Sequence, residues 1–329
     1  MSPVIDVHTH MLTQPYMRLL ERHGKPQYTL KTVLGGLRAI HLHGAPFMTP
    51  VPEMFDWDAR IRNMDKAGID VSVCSLTAPN CYWGGEEVAL RAAKIMNDEM
   101  AKARKTRPDR IQFLCSLPWQ YPKAAVAELK RALQAGASGV MVLANIDGKS
   151  LTDPAFAPVW KAIDGKRLPV LVHPTAPPGV QQLDMTQFQL TASIGFTFDT
   201  SLAIALMIFD GFFDRYAHLK IIAGHGGGAL PFLIGRLDQC FEHIPACRVK
   251  VSEKPSLTAR RIWADAVVFT DDALAMALRV FGTDRVCYGS DYPHTIGDPI
   301  GCLARVDRLP DGARDRVRGG NAGRIFDFR

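Results

Sequence analysis

"VIDVHTHML", residues 4–12, joins an apolar run rich in β-branched residues to two histidines that stand two positions apart. Such a short apolar run is typical of a strand buried in a parallel sheet. An imidazole in a buried strand is costly unless it has a partner. His8-x-His10 is therefore either a packed pair at a strand end or the first two ligands of a metal.

Seven more runs of this kind follow and alternate with longer helical patterns. The eight runs are 4–7, 70–76, 111–117, 139–144, 169–174, 220–225, 266–270 and 285–291. Eight strands separated by helices predict an α/β fold, a (β/α)8 TIM barrel, and 329 residues with 47% apolar content suffice for one such domain over residues 1–329. Two connections, 11–55 and 175–199, are longer than a barrel needs and are expected to form rim or lid insertions.

Composition narrows the classes of partner. The net charge of +6 is spread over 39 basic and 33 acidic residues, and the basic stretch 102–110 is interpreted as a solvated helix end, so no nucleic-acid partner is expected. Seven cysteines without a C-x-x-C pair indicate reduced thiols. No signal peptide and no apolar run of membrane-spanning length are evident, so we expect a cytoplasmic protein without a membrane partner.

Polar residues concentrate where the predicted strands end. His8 and His10 come after the first run, and His173, His225 and Asp291 end the fifth, sixth and eighth. The carboxyl ends of barrel strands meet at one rim, and alternation turns His8 and His10 to the same side. One such histidine alone is more often structural. Together the five groups favour a site for zinc or a similar divalent ion.

The motifs "DVHTH", "VHP", "AGHGGGALPFLIGR" (223–236) and "YGSDYPH" (288–294) resemble, in this order, those of the amidohydrolase superfamily. They are most similar to its decarboxylase branch, typified by α-amino-β-carboxymuconate-ε-semialdehyde decarboxylase. The resemblance extends over nearly the whole chain. It implies one divalent metal, zinc or alternatively manganese, held by His8, His10, His173 and Asp291. It also implies that His225 is the acid/base, so that the catalytic residues are His225 and Asp291.

Two arginines are candidates for binding the substrate. Arg60 stands in the first turn of a helix that enters from the rim, and a surface position is the less favoured alternative on pattern alone. The resemblance implies that Arg60 binds a substrate carboxylate. It also implies that Arg236 reaches the active site of a neighbouring subunit, and hence a homodimer. From the residues alone Arg236 would be a surface side chain.

The predicted chemistry depends on a metal and a free histidine. A divalent metal lowers the pKa of bound water from about 15.7 to about 7, and a histidine that is not a ligand can move protons. Together with the resemblance, this predicts a metal-dependent non-oxidative decarboxylase of a small aromatic or muconate-like carboxylic acid. The alternative is a hydrolase or hydratase acting on similar ring-cleavage acids. A metal-binding or scaffold protein without catalytic activity is disfavoured because His225 is present beside the full set of ligands.

The substrate pocket is less well defined by the sequence. Ala192 stands where the type enzyme of the branch has a tryptophan, so we expect a different native substrate. Four aromatic residues could form a flat apolar slot, although each could also be ordinary packing. They are Phe47, Trp83, Phe196 and Phe198.

Overall fold

The structure is a computed structural model that describes residues 3–328, except the side chain of Leu34. Its strands, in chain order, are β1 Ile5–Met11, β2 Tyr28–Thr32, β3 Arg38–Leu42, β4 Ala45–Met48, β5 Val71–Leu76, β6 Ile111–Cys115, β7 Gly139–Leu143, β8 Asn145–Ile146, β9 Lys149–Ser150, β10 Pro169–His173, β11 Lys220–Ala223, β12 Trp263–Asp265 and β13 Val286–Cys287. Its α-helices are α1 Gln14–His23, α2 Trp57–Ala67, α3 Glu86–Thr106, α4 Pro122–Gln134, α5 Ala157–Gly165, α6 Phe196–Phe209, α7 Phe212–Arg215, α8 Gly224–Gly227, α9 Leu230–His243, α10 Pro255–Ala259, α11 Asp271–Phe281, α12 Pro299–Asp307, α13 Asp311–Asp315 and α14 Asn321–Phe326.

Eight strands form one parallel sheet in the order β1-β5-β6-β7-β10-β11-β12-β13. Backbone hydrogen bonds from Val7 N to Tyr288 O (3.1 Å) and from His10 N to Tyr292 O (2.8 Å) join the last strand to the first. These bonds close the sheet, and helices lie between successive strands. The predicted (β/α)8 barrel is therefore confirmed.

Five strands differ from their predicted bounds by more than one residue. β6 and β11 each end two residues early, so His225 lies after β11 and not at its end. β1 extends through Met11, so His8 and His10 lie within the strand rather than after it. The seventh strand is Trp263–Asp265, ahead of the predicted 266–270, and the eighth is only Val286–Cys287. The apolar pattern misplaced the seventh strand because that strand ends in a buried acid, Asp265, whose hydrogen bonds make its burial tolerable.

The two long connections build a wall above the barrel. Residues 11–55 contain α1 and a separate antiparallel sheet, β2-β3-β4. Residues 175–199 contain turns, a π-helical turn at 191–195 and the start of α6. The rings of Phe47 on β4 and Phe196 on α6 lie 6.5 Å apart, so the two connections meet there.

The helical stretch Gln187–Phe209 is long and apolar enough to cross a membrane by length and composition, and 44% of its apolar window is buried within the protein. The prediction concerned an uninterrupted apolar run, and this stretch is interrupted by Asp199 and by several Thr, Ser and Gln residues. Core helices of soluble proteins also meet the test of length and composition, so the stretch does not identify a membrane protein.

Candidate active site

Three histidines and one aspartate converge at the carboxyl end of the barrel. His8, His10, His173 and Asp291 each bring one potential ligand atom into a group whose members all lie within 4.8 Å of one another. Asp291 Oδ1 lies 3.1 Å from His10 Nε2 and 3.4 Å from His8 Nε2. All four side chains are buried, so the cluster is shielded from bulk water.

The hydrogen bonds of these histidines fit a metal centre. Each Nδ1 has a protein partner: Asp265 Oδ2 for His8 at 2.6 Å, Ser75 Oγ for His10 at 3.1 Å, and Pro174 O for His173 at 2.7 Å. Within the described residues, the buried Nε2 atoms of His8 and His173 have no hydrogen-bond partner. Ligand histidines are typically held in this way through the opposite nitrogen. Three imidazoles and a carboxylate suit zinc or manganese.

Burial also favours the protonation states that a metal requires. It lowers the pKa of His10 to about 3 and holds the pKa of His173 well below its ordinary value. Burial alone would raise the pKa of Asp291, but the surrounding imidazoles, His294 foremost, hold it well below the usual range. Neutral His10 and His173 beside an ionised carboxylate can bind a cation directly. At His8 burial would lower the pKa, but the neighbouring carboxylate of Asp265 raises it.

Asp265 is a site residue that the sequence did not reveal. Its Oδ2 accepts hydrogen bonds from His8 Nδ1 and from His225 N (3.0 Å), and its Oδ1 accepts from Gly226 N (2.9 Å) and Val267 N (3.0 Å). Burial would raise its pKa, but the charge of His8 and these hydrogen bonds lower it. The only available signal was an acid at the start of an apolar run, and the misplaced seventh strand concealed it.

His225 lies beside the metal-ligand cluster. It stands in the short turn after β11 with a left-handed backbone (φ 55°), and its Nε2 lies 3.5 Å from Asp291 Oδ2. Gly228, at φ 64°, closes this turn so tightly that a Cβ there would clash with Thr197 O. Gly226 N donates to Asp265, so the glycines of this turn serve close packing of the backbone.

A cavity of about 340 Å³ opens over the cluster. His173, His225, Asp291 and His294 contribute its polar surface. Phe47, Phe196 and Ala192 are among its apolar residues, whereas Trp83 and Phe198 are not part of its lining. Two of the four aromatic residues considered for the slot therefore reach the pocket. The volume and mixed lining suit a molecule with one ring and a charged group.

Arg60 is placed away from this cavity. Its side chain is fully buried and donates to Thr9 Oγ1 (2.6 Å), to His10 O (2.5 Å) and to Met11 Sδ (3.0 Å). Its guanidinium also stacks on the ring of Tyr292 at 4.8 Å. In this structure Arg60 therefore supports the backbone of β1, the strand that carries His8 and His10, and its contact with a substrate carboxylate stays a prediction. The first turn of α2 faces β1 rather than the pocket. The sequence pattern could not show which of the two this turn would face.

Arg236 is exposed on α9 and does not line the cavity of its own chain. It follows Phe232 by one helical turn, and Phe232 is 77% exposed. The two side chains therefore lie on one outward face of α9.

Comparison with known proteins agrees with this geometry. Residues 5–328 match the family described as amidohydrolase. A curated relative, the 2-amino-3-carboxymuconate-6-semialdehyde decarboxylase of Dictyostelium discoideum, is 30% identical over 325 residues, which cover 97% of this chain and 90% of the relative. The crystal structure of 5-carboxyvanillate decarboxylase from Sphingomonas paucimobilis matches with a TM-score of 0.87 and 28% identity, covering 100% of both chains.

A third match shows the fold alone. The dihydroxybenzoic acid decarboxylase of Polaromonas sp. JS666, solved with bound manganese and the inhibitor 2-nitroresorcinol, has a TM-score of 0.81 and 22% identity, covering 99% of this chain and 97% of that one. The chain belongs to the amidohydrolase family, and its relatives place it among the carboxy-lyases of that family.

Proposed function

We propose that this protein is a metal-dependent, non-oxidative decarboxylase of a small aromatic or muconate-like carboxylic acid. The observation that carries the proposal is the position of His225, outside the four-ligand group but 3.5 Å from the ligand Asp291 and on the wall of the cavity. The named activities of the relatives support the same reaction. The insertions 11–55 and 175–199 would cover the substrate, since Phe47 and Phe196 belong to them.

The side chains have separate roles in this reaction. A divalent ion held by His8, His10, His173 and Asp291 would supply a Lewis acid that orients the acid and draws electron density from it. His225 Nε2 would deliver a proton to the carbon that bears the carboxylate. The carbon–carbon bond then breaks, carbon dioxide leaves, and its bonding electrons restore the conjugated system. The apolar wall excludes water, which disfavours the competing hydrolysis.

We propose zinc as the ion, with manganese as the alternative. Three imidazoles and a carboxylate are a common zinc set, whereas the manganese found in the Polaromonas enzyme supports the second choice.

The reaction is tested with apo-protein loaded with zinc or manganese and offered a panel of hydroxybenzoates and muconate semialdehydes. Carbon dioxide release without incorporation of oxygen from labelled water supports a decarboxylase. Incorporation of labelled oxygen into the product would instead identify the hydrolase or hydratase.

The roles of the histidines are tested by comparing His225→Ala with His173→Ala. His225→Ala should keep its metal but lose about 10²- to 10⁴-fold in turnover, the usual contribution of a positioned proton-transfer group. His173→Ala should lose metal and activity together. Metal loss from His225→Ala in proportion to activity would make His225 a ligand.

We also propose a homodimer in which Arg236 serves the partner's site. Four apolar side chains recur every four residues along one side of α6 and the turn before it, and all are exposed. They are Ile194, Phe198, Leu202 and Leu206, here called the α6 face. α9, which carries Phe232 and Arg236, packs beside α6. A continuous exposed apolar surface of this kind is typical of a subunit interface.

The dimer is tested first by sedimentation. Leu202→Glu should convert it to monomer, whereas the matched change Ile300→Glu, at an exposed apolar residue on α12, should not. A second measurement mixes inactive Arg236→Ala with metal-deficient Asp291→Ala. A two-fold interface rebuilds one working site in each mixed dimer, which restores roughly a quarter of parental activity after full exchange. No recovery after verified exchange would confine Arg236 to its own subunit.

A further inference from the structure

A third histidine of the cavity lining, His294, reaches the cavity from the loop after β13. Its Nε2 lies 2.9 Å from the hydroxyl of Thr77, the residue that follows β5. Because β1 lies between β13 and β5 in the barrel, the His294–Thr77 pair spans the end of the strand that carries His8 and His10. The ring of His294 lies 5.1 Å from the ring of His10. The pair is therefore part of the cavity wall beside the metal-ligand cluster.

The position of His294 is fixed from two directions. Its backbone N donates to Asp291 O (3.0 Å), and its carbonyl accepts from Gly297 N (2.8 Å). Gly297 packs directly on the carbonyl of Asp291, where a Cβ would meet the oxygen at 2.5 Å. The backbone of this turn is thus tied to a ligand residue, and the side chain is tied to Thr77. A ring held in this way is pre-organised for binding.

His294 and His225 approach the cavity from different sides. His225 follows β11, which is separated from β1 by β12 and β13, whereas His294 lies over β1 itself. Both line the cavity, together with Thr77. The hydrogen bond between the His294 ring and Thr77 uses Nε2. Within the described residues, the other ring nitrogen, Nδ1, makes no hydrogen bond. An unpaired ring nitrogen therefore belongs to a residue of the pocket wall that follows a different strand from the proposed proton donor.

We infer that His294, oriented by Thr77, binds a hydroxyl group of the substrate and so selects acids that carry one. A hydroxyl can donate to Nδ1 or accept from it, and therefore suits either tautomer that the Thr77 contact allows. An acid without this group would bury Nδ1 unpaired, which is the kind of mismatch that discriminates strongly against an analogue. The identity of the acid rests on the proposed decarboxylase function, whereas the hydroxyl contact can be measured by binding alone.

The test measures dissociation constants by calorimetry for benzoate and for 2-, 3- and 4-hydroxybenzoate. The zinc-loaded full chain carries His225→Gln in every sample, so that no ligand is consumed. At least one hydroxybenzoate should bind about 5- to 100-fold more tightly than benzoate. His294→Phe, which keeps a flat ring but no hydrogen-bonding nitrogen, should bring this ratio close to one by weakening the hydroxybenzoate. His294→Gln should restore part of the preference.

Thr77→Val and Thr49→Val form a matched pair, because both threonines line the cavity and only Thr77 contacts His294. Thr77→Val should reduce the preference for the hydroxylated acid, and Thr49→Val should leave it unchanged. Metal content and Tm should stay at parental values in all of these variants.

Three results would overturn the inference. They are a preference that survives in His294→Phe, the absence of any preference in the parent, and a loss of zinc from His294→Phe that accounts for the weaker binding. If the preference disappears in His294→Phe while the protein with native His225 releases no carbon dioxide from any acid, the hydroxyl contact stands and the proposed decarboxylase function fails.

Discussion

The carboxylate of Asp265 contacts both the side chain of His8, a proposed metal ligand, and the backbone of the proposed acid/base. It accepts a hydrogen bond from His8 Nδ1 and others from the backbone N atoms of His225 and Gly226. The first contact fixes which nitrogen of His8 faces the centre, and the others hold His225 in its left-handed conformation. One buried side chain thereby links metal affinity to the placement of the proton donor.

Replacing Asp265 should weaken metal binding as well as turnover. Asp265→Asn keeps the shape but loses the charge, so we expect zinc affinity to fall about 10- to 100-fold, with Asp265→Ala worse. Competition with a chromophoric chelator measures this directly. Asp109→Asn, at an exposed acid, is the control and should keep parental affinity. Unchanged affinity in Asp265→Asn would show that His8 is oriented without this carboxylate.

Asp199 makes the stability of the protein depend on pH. It accepts hydrogen bonds from Thr175 N and from Asn145 Nδ2, both at 2.9 Å, but burial raises its pKa from 3.8 to about 6. The folded protein therefore takes up this proton at a higher pH than the unfolded chain does. The contribution of Asp199 to stability rises as pH falls from about 6 to about 4, and is lost as pH rises through this range.

Asp199→Asn should lack this dependence because it cannot ionise. Raising a pKa from 3.8 to about 6 corresponds to about 3 kcal/mol. The free energy of unfolding of Asp199→Asn relative to the parent should therefore increase by up to about this amount between pH 4 and pH 7. Denaturant titrations at several pH values measure the difference. A difference that stays constant over the range would contradict a raised pKa at Asp199.

At the scale of elements, the turn between β11 and α9 depends on the absence of a side chain at residue 228. Gly228→Ala places a Cβ against Thr197 O and must adopt φ 64°, so we expect a destabilised protein with displaced His225 and strongly reduced turnover. Gly235→Ala, within α9 and facing open space, is the matched control. It should be neutral or up to about 1 kcal/mol more stable in unfolding experiments. Equal behaviour of the two variants would contradict this account of the turn.

The elements that the sequence predicted well are those whose burial is apolar. β5 and β10 lie within one residue of their predicted bounds because nearly all of their side chains enter the core. The clustering of His8, His10, His173 and Asp291 was predictable for a related reason, since each polar residue interrupts or follows an apolar run. β12 was misplaced because it ends in a buried acid, Asp265, whose hydrogen-bond partners lie on β1 and in the α8 turn. These partners are distant in sequence, so a single sequence does not indicate them.

Contacts that depend on residues distant in sequence were also missed for Arg60 and for the cavity loops. Helical periodicity placed Arg60 in the first turn of α2 near the rim but left a surface position open, and only the structure shows that it is buried against β1. The pair of His294 and Thr77 joins loops more than two hundred residues apart in sequence. Such contacts depend on how loops fold over the barrel mouth, and neither composition nor periodicity reports this.

At the scale of the whole molecule, the proposed metal would join distant parts of the barrel. Its four ligands come from β1, from β10 and from the loop after β13. Chelation should therefore lower the free energy of unfolding by about 3–4 kcal/mol when the ion had been present at 100 to 1,000 times its dissociation constant. Thermal melts with and without chelator measure the loss, and added zinc should reverse it.

His225→Ala is the control for this measurement. As a residue outside the ligand group it should show the same metal-dependent stabilisation as the parent, whereas His173→Ala should show little. If chelation removes the bound zinc but leaves the Tm of the parent unchanged, metal binding at the cluster does not stabilise the barrel.

The sheet β2-β3-β4 is an insertion, whereas the reacting groups are anchored in the barrel itself. Phe47, which faces the cavity from β4, can be exchanged without touching any residue that holds the ion or moves the proton. Changes at the cavity-facing positions of this segment could therefore alter which acid enters while the four-residue cluster stays the same. Transplanting this segment between relatives is accordingly a more economical route to a new substrate range than redesigning the barrel.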